Sequence, residues 1–284
     1  LTRIHQKSAD LRHVVQTALE RNRKKYDLQS KQLKGTEKRD KYKVYGELIN
    51  TYGYNLEPGS KELTALNYYT NEEITIPLDP TQTPGENAQR YFAKYNKQKR
   101  TFEALTELIQ ETADDIQYLE SISNALDIAL NEADLAQIKE ELMQSGYIRR
   151  KHTKKKVKLT SKPMHYISSD GYDMYVGKNN LQNEELTFSF ANGNDWWFHA
   201  KGAPGSHVIV KSGGDELPDR TFEEAGRLAA YYSKNRGADK VEIDYIQKKH
   251  VKKPNGAKPG FVVYYTNYSL VIDSDISNIK NVQD

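Results

Sequence analysis

Between residues 95 and 130 the sequence steps by three and four without a break through Tyr95, Gln98, Phe102, Leu105, Ile109, Thr112, Ile116, Leu119, Ser123, Leu126 and Leu130. That spacing keeps one stripe of a helix turned toward a partner. Gln98, Thr112 and Ser123 interrupt the stripe without moving it, so the segment predicts one limb of a coiled coil. Pro84-Gly85-Glu86 supplies a helix start, and a helix over 85–130 reaches about 69 Å at 1.5 Å per residue. A helix of that length needs a partner. Residues 1–51 are the candidate, because Val15, Leu19, Tyr26 and Leu33 also recur at helical spacing, although Asn22 and Gln29 leave this seam half polar. Between the two helices, ELTALNYY (62–69) and EITIPL (73–78) flank a short polar turn, entered through Glu57-Pro58-Gly59, and predict a β-hairpin. LAQIKEELMQSG (135–146) predicts a further short helix closed at Gly146.

The pattern changes after residue 159. Short apolar or alternating runs predict strands at MHYISS, YDMYVG, LTFSF, WWFHA, SHVIV, VEIDYI, FVVYY and SLVID. One helix interrupts them, TFEEAGRLAAYYSKN, with Thr221 at the N-cap and Glu224 three residues on. GKNNLQN (177–183) and QKKHVKKPNGAKPG (247–260) read as loops, and Gly171, Gly177, Gly202, Gly205, Gly256 and Gly260 as turn glycines. The predicted fold is therefore α+β. A long antiparallel helical coiled-coil arm with a small β-hairpin tip occupies residues 1–148, and a basic linker covers 149–158. A compact mixed α+β domain follows over 159–284.

Composition narrows the chemistry. The 284 residues contain no cysteine, which removes disulfides, thiolate nucleophiles and Cys-ligated metal centres. No apolar run approaches a membrane span, and no signal-peptide pattern opens the chain, which starts at Leu1 within a helical pattern and reads as a fragment. Charge is uneven: residues 1–148 carry net −3 and residues 149–284 net +6. At the join, RRKHTKKKVK (149–158) is either a solvated linker or an arm that lies along phosphates.

The stretch NDWWFHAKGAPGSHVIV (194–210) concentrates the candidate chemistry. His199 and His207 lack a third ligand in the pattern, so no metal or cofactor is expected. Ser206 and His207 are adjacent on a strand and point apart, which argues against a nucleophile pair, and no enzymatic role is assigned. No phosphate-cradling glycine motif is present. Trp196 and Trp197 alternate faces, so one is expected in the core and the other at a contact surface. Lys178, Asn179, Asn180, Trp197, His199, Lys201, Ser206, His207, Lys248, Lys249, His250, Lys252, Lys253 and Lys258 together offer donors, cations and aromatic faces suited to RNA, with stacking on unpaired bases added by the aromatics.

GYDMYVGKNNLQNEELTFSFANGNDWWFHAKGAPGSHVIVK and VEIDYIQKKHVKKPNGAKPGFVVYY resemble the NFACT-R domain of the RqcH and fibronectin-binding protein A-like (NFACT) family, whose eukaryotic relatives include NEMF and Rqc2. YGELINTYGYNL, ITIPLDPTQTPGENAQRYFAKYNKQKR and ELMQSGYIRRK are similar to the family's coiled-coil and middle region. The resemblance implies a cytoplasmic factor that binds the large ribosomal subunit and tRNA and supports template-free polyalanine tailing of stalled chains. It also implies that the Asp-Arg pair tied to tRNA selection lies in an N-terminal domain outside this sequence, so no position here inherits it. The alternative that the family's other name implies is a surface adhesin for fibronectin or fibrinogen, displayed without a signal peptide.

Overall fold

The structure, a computed structural model, describes residues 3–151 and 158–282, so residues 152–157 of the basic stretch lie outside the described residues. The first predicted helix is in fact two, α1 (Arg3–Lys34) and α2 (Arg39–Tyr52). Gly35 follows α1 directly, and tight turns take over from it: Thr36 N–H donates to Leu33 O at 3.0 Å and Arg39 N–H to Thr36 O at 3.1 Å. Glycine's loss of backbone entropy in a helix explains why the break falls there. Strands β1 (Glu62–Asn67) and β2 (Glu72–Pro77) form the expected antiparallel hairpin. Helix α3 (Pro84–Ile128) starts with Thr83 as its cap: Glu86 N–H donates to Thr83 Oγ1 and the Thr83 hydroxyl donates to the Glu86 carboxylate, both at 3.1 Å. It ends at Ile128 and leaves Leu130 exposed, because Asn131 already caps α4 (Glu132–Gln144) by accepting from Asp134 N–H at 2.9 Å.

The chain divides into two compact units, Asn22–Asp114 and Leu1–Arg21 with Asp115–Asp284. Within Asn22–Asp114 the helices pair antiparallel. The Thr112 hydroxyl donates to the Gln29 side chain at 2.8 Å, the Arg39 guanidinium lies 4.1 Å from the Phe102 ring centroid, and Gly46 faces the Phe92 ring. Leu105 and Thr112 of the seam are buried, and Tyr95, Gln98, Phe102 and Ile109 are partly buried between exposed neighbours. The hairpin packs with α2 and the start of α3 around Leu48, Ile49, Leu63, Ile76 and Tyr91.

In the other unit, Leu11, Val15, Ala18 and Leu19 pack on Leu119, Ile122 and Leu126 of α3 and on Leu135, Ile138 and Leu142 of α4. The rest of this unit is built on a sheet of β3 (Met164–Ile167), β4 (Asp173–Val176), β5 (Trp196–Ala200), β6 (Val208–Val210), β7 (Val241–Gln247), β8 (Tyr268–Ile272) and β9 (Lys280–Val282). Its strand order is β8-β7-β5-β6-β4-β3-β9, and every described pairing is antiparallel. Helix α6 (Asp219–Tyr231) covers one face. The other is covered by α5 (Asn180–Glu185), by a π-helical turn that continues it (Leu186–Phe190), and by Val251, Val262 and Tyr264.

Four expectations are corrected here. LTFSF is the π-helical turn rather than a strand, and within FVVYY only Val263 pairs, in an isolated bridge to Lys252. The polar run 177–183 is not a loop throughout, since α5 begins at Asn180 with Asn179 as its cap. Thr221 lies inside α6, where its hydroxyl donates to Asp170 at 2.9 Å, and Pro218 takes the N-cap position.

Candidate nucleic-acid interface

Because both faces of the sheet are covered, both tryptophans are packed. Trp197 is 0% exposed among Leu186, Ile209, Ile246 and Val251, and Trp196 lies on the other face, edge-on to Phe222 with centroids 4.9 Å apart. The expected contact role of Trp197 thus meets a fully enclosed ring. Ser206 and His207 are also buried. The His207 Nδ1 pairs with the Thr187 hydroxyl at 2.8 Å, and its backbone N–H donates to Asn183 Oδ1 at 3.0 Å. Burial, with the neighbouring His199 adding to it, lowers the His207 pKa to about 3, and burial likewise lowers that of His199. The two imidazoles are packed edge to face, 5.8 Å apart between centroids, as neutral rings of the interior.

Asn179 and Asn180 are buried too, and their partners are internal. Asn179 caps α5 by accepting from Gln182 N–H at 2.9 Å, and its amide donates to Gln137 of α4 at 2.8 Å. The Asn180 amide donates to Ser121 at 2.8 Å and to the Glu141 carboxylate at 3.0 Å. Lys178 joins them through a buried ion pair with Asp134 at 3.1 Å. These residues lock the sheet domain to α3 and α4, a use that the asparagine-rich composition alone does not reveal.

The remaining cations separate into two groups. Lys201 pairs with Glu242 at 3.2 Å, Lys253 with Glu184, and Lys258 with Asp115. Lys201 follows the last residue of β5, whereas Lys248 follows β7 and bonds through its N–H to Asp195 O, before the first residue of β5. Antiparallel pairing therefore puts them at opposite ends of the sheet, about 20 Å apart at 3.4 Å per residue. The single cationic patch expected from sequence is divided.

One cluster keeps its charge available. The turn Lys248–His250 and the following Lys252 project from the end of β7, with Lys249, His250 and Lys252 exposed. Among the described residues no carboxylate forms an ion pair with Lys248, Lys249 or Lys252. The turn is anchored by backbone bonds, Lys248 N–H to Asp195 O at 2.8 Å and Lys249 N–H to Gly193 O at 3.0 Å, so the main chain fixes its position.

Beside it lie residues that the sequence reading did not select. Lys248 Nζ stands 5.8 Å from the Phe188 centroid, and Lys211 Nζ 4.6 Å from that of Phe190. Both rings come from the π-helical turn Leu186–Phe190, whose alternating LTFSF sequence resembles that of a strand. Lys211 is tied to Asp195 at 2.7 Å. Cations and aromatic rings alternating along the end of one sheet offer partners to both parts of a nucleotide, its phosphate and its base.

Comparison with known proteins agrees with this chemistry. Residues 1–161 match the model of the NFACT N-terminal and middle domains, and residues 162–265 match that of the NFACT protein RNA binding domain. The chain is 41% identical over 282 residues to "Rqc2 homolog RqcH" of Streptococcus pneumoniae serotype 2 (strain D39 / NCTC 7466), covering 99% of this chain and 51% of that protein. It is 38% identical to the protein of the same name from Bacillus subtilis (strain 168), covering 98% of this chain and 49% of the relative. The chain thus spans about half the length of these curated relatives. A solved structure, the C-terminal of the fibronectin/fibrinogen-binding protein from Streptococcus suis, superposes with a TM-score of 0.76 at 36% identity, covering 98% of this chain and 99% of that one. The exposed basic turn thus falls within a segment matched as RNA-binding, and the chain that carries it belongs to the NFACT family.

Proposed function

We propose that this chain is the RNA-contacting part of a cytoplasmic ribosome quality-control factor. It binds the large ribosomal subunit and tRNA and supports template-free polyalanine tailing of stalled nascent chains. It acts as a binding module and performs no bond-making step of its own. The observation that carries this reading is the unpaired cationic turn Lys248–Lys252, set beside aromatic rings within the segment that matches an RNA binding domain. The names of the S. pneumoniae and B. subtilis relatives point the same way.

Sedimentation of the chain with purified large subunits tests the reading. Wild type co-sediments, and added tRNA competes. The double variant Lys249→Glu, Lys252→Glu stays in the supernatant with unchanged thermal stability, because exposed loop lysines contribute little to folding. Affinity falls as salt rises, with counterion release setting the slope. Co-sedimentation of the double variant at the wild-type level removes the basic turn from the mechanism.

A further inference from the structure

Resting on the RNA reading above, we propose that Phe190 is a stacking platform for one unpaired nucleobase, with Lys248 and Lys249 engaging the adjoining phosphates. The domain then distinguishes single-stranded RNA from duplex.

Four features of the π-helical turn support this. First, the turn is wider than an α-turn by one residue, with Ala191 N–H reaching back to Leu186 O at 2.9 Å. Such single π-turns disturb a helix at a cost and recur where function needs a redirected side chain. Second, the turn divides its two phenylalanines. Phe188 packs against the Trp197 cluster, whereas Phe190 remains 40% exposed. Leaving a phenylalanine ring half in water forgoes part of the roughly 1.5–3 kcal/mol that full burial contributes.

Third, the exposed ring is held still. Tyr175 meets it edge-on, centroids 4.8 Å apart, and Tyr175 is itself stacked on His165 at 4.4 Å. Lys211 lies over the Phe190 ring and also donates to the Phe190 carbonyl at 3.2 Å, while Asp195 fixes Lys211 from the other side. A ring fixed in advance loses little entropy when a ligand stacks on it. Fourth, Lys248 is bonded through its N–H to Asp195, the residue that fixes Lys211, and Lys249 to Gly193, which puts cations at the same end of the sheet and suits a ligand whose planar apolar part is joined to an anion.

In a duplex each base is covered above and below by its neighbours, so its π-face is closed to a protein ring. An unpaired base keeps that face open.

The test uses three fluorescent RNAs with the same backbone length: a single strand, its blunt duplex, and a single strand with abasic sites. Affinities are measured at fixed salt for wild type, Phe190→Ala and Phe190→Trp, with folding checked by thermal unfolding. Wild type prefers the base-bearing single strand. Phe190→Ala weakens that complex by at least about five-fold, which corresponds to about 1 kcal/mol and the lower end of base stacking on an aromatic side chain. It leaves the abasic and duplex complexes unchanged, and Phe190→Trp restores the preference. If Phe190→Ala and wild type bind the base-bearing strand equally while the Lys249→Glu, Lys252→Glu protein does not, the stacking site is refuted and the RNA reading stands. If wild type binds none of the three RNAs yet captures an acidic peptide, both fall.

Discussion

The side-chain amide of Asn180 donates to the buried carboxylate of Glu141 at 3.0 Å, across the contact between α5 and α4. Tyr118 supplies the second donor at 2.6 Å, and burial still holds the Glu141 pKa above the usual carboxylate range. Removing one donor leaves a desolvated acceptor short of a partner. Asn180→Ala is expected to lower stability by about 1–3 kcal/mol, read as a shift in denaturant midpoint. The RNA affinity of the folded protein is expected to stay at the wild-type value, and a selective loss of RNA binding without loss of stability would return Asn180 to the ligand surface.

Lys178 and Lys252 separate structural from ligand-facing charge. Lys178 meets Asp134 with both side chains largely buried, so Lys178→Met strands a carboxylate in the interior and is expected to destabilise by about 3 kcal/mol. Lys252→Met is expected to be neutral in stability and to reduce the slope of log affinity against log salt by roughly 0.7 for a single-stranded RNA. Calorimetry and a salt titration on the same two proteins check both outcomes.

Gly177 is required by space rather than by backbone angle. A Cβ there would lie 2.0 Å from Asn183 Oδ1 and 3.0 Å from Asn183 N, and that same Oδ1 accepts from His207 N–H at 3.0 Å. Gly177→Ala is therefore expected to push α5 away from the end of β4, with a loss of about 1–3 kcal/mol typical of overpacking, visible as a lower melting temperature. An unchanged melting temperature would show that Asn183 moves aside without loss.

The buried His207 gives stability a pH dependence of defined sign. Its folded pKa is about 3, below the ordinary value of 6.5, so the folded state binds fewer protons than the unfolded chain between these limits. The stability it contributes is complete above about pH 6.5 and is lost as pH falls toward 3, with a slope of up to about 1.4 kcal/mol per pH unit for one proton. Melting curves between pH 7 and 5 are expected to show this fall, and His207→Gln to flatten it.

Much of this architecture was legible because single-partner helices advertise their periodicity. The stripe from Tyr95 to Thr112 is the less exposed side of α3, and it faces one neighbour. From Tyr118 onward the pattern loses its meaning, since Ile122, Asn124 and Ala125 are buried as well. There α3 meets α1 and α4, and Asn124 also donates to Tyr232 O at 3.1 Å. The candidate site was less legible. Composition identifies lysines but not the carboxylates that fold opposite Lys178, Lys253 and Lys258. Alternation in LTFSF looks like a strand, and only the cap that Asn179 provides to the preceding residues, together with the Ala191 to Leu186 bond, shows it to be a widened helical turn.

The polar interlock around α4 also bears on how the molecule is to be dissected. A fragment cut at residue 162, where the match to the RNA binding domain begins, would keep Asn179, Asn180 and Gln182 but discard Gln137, Glu141 and Ser121, to which their amides are bonded. Lys258 and Lys234 would lose Asp115 and Asp127 in the same stroke. Such a clone should be prone to aggregation and proteolysis even though its strands are complete, so the smallest dependable expression unit for the RNA-facing surface retains α4 and the terminal turns of α3.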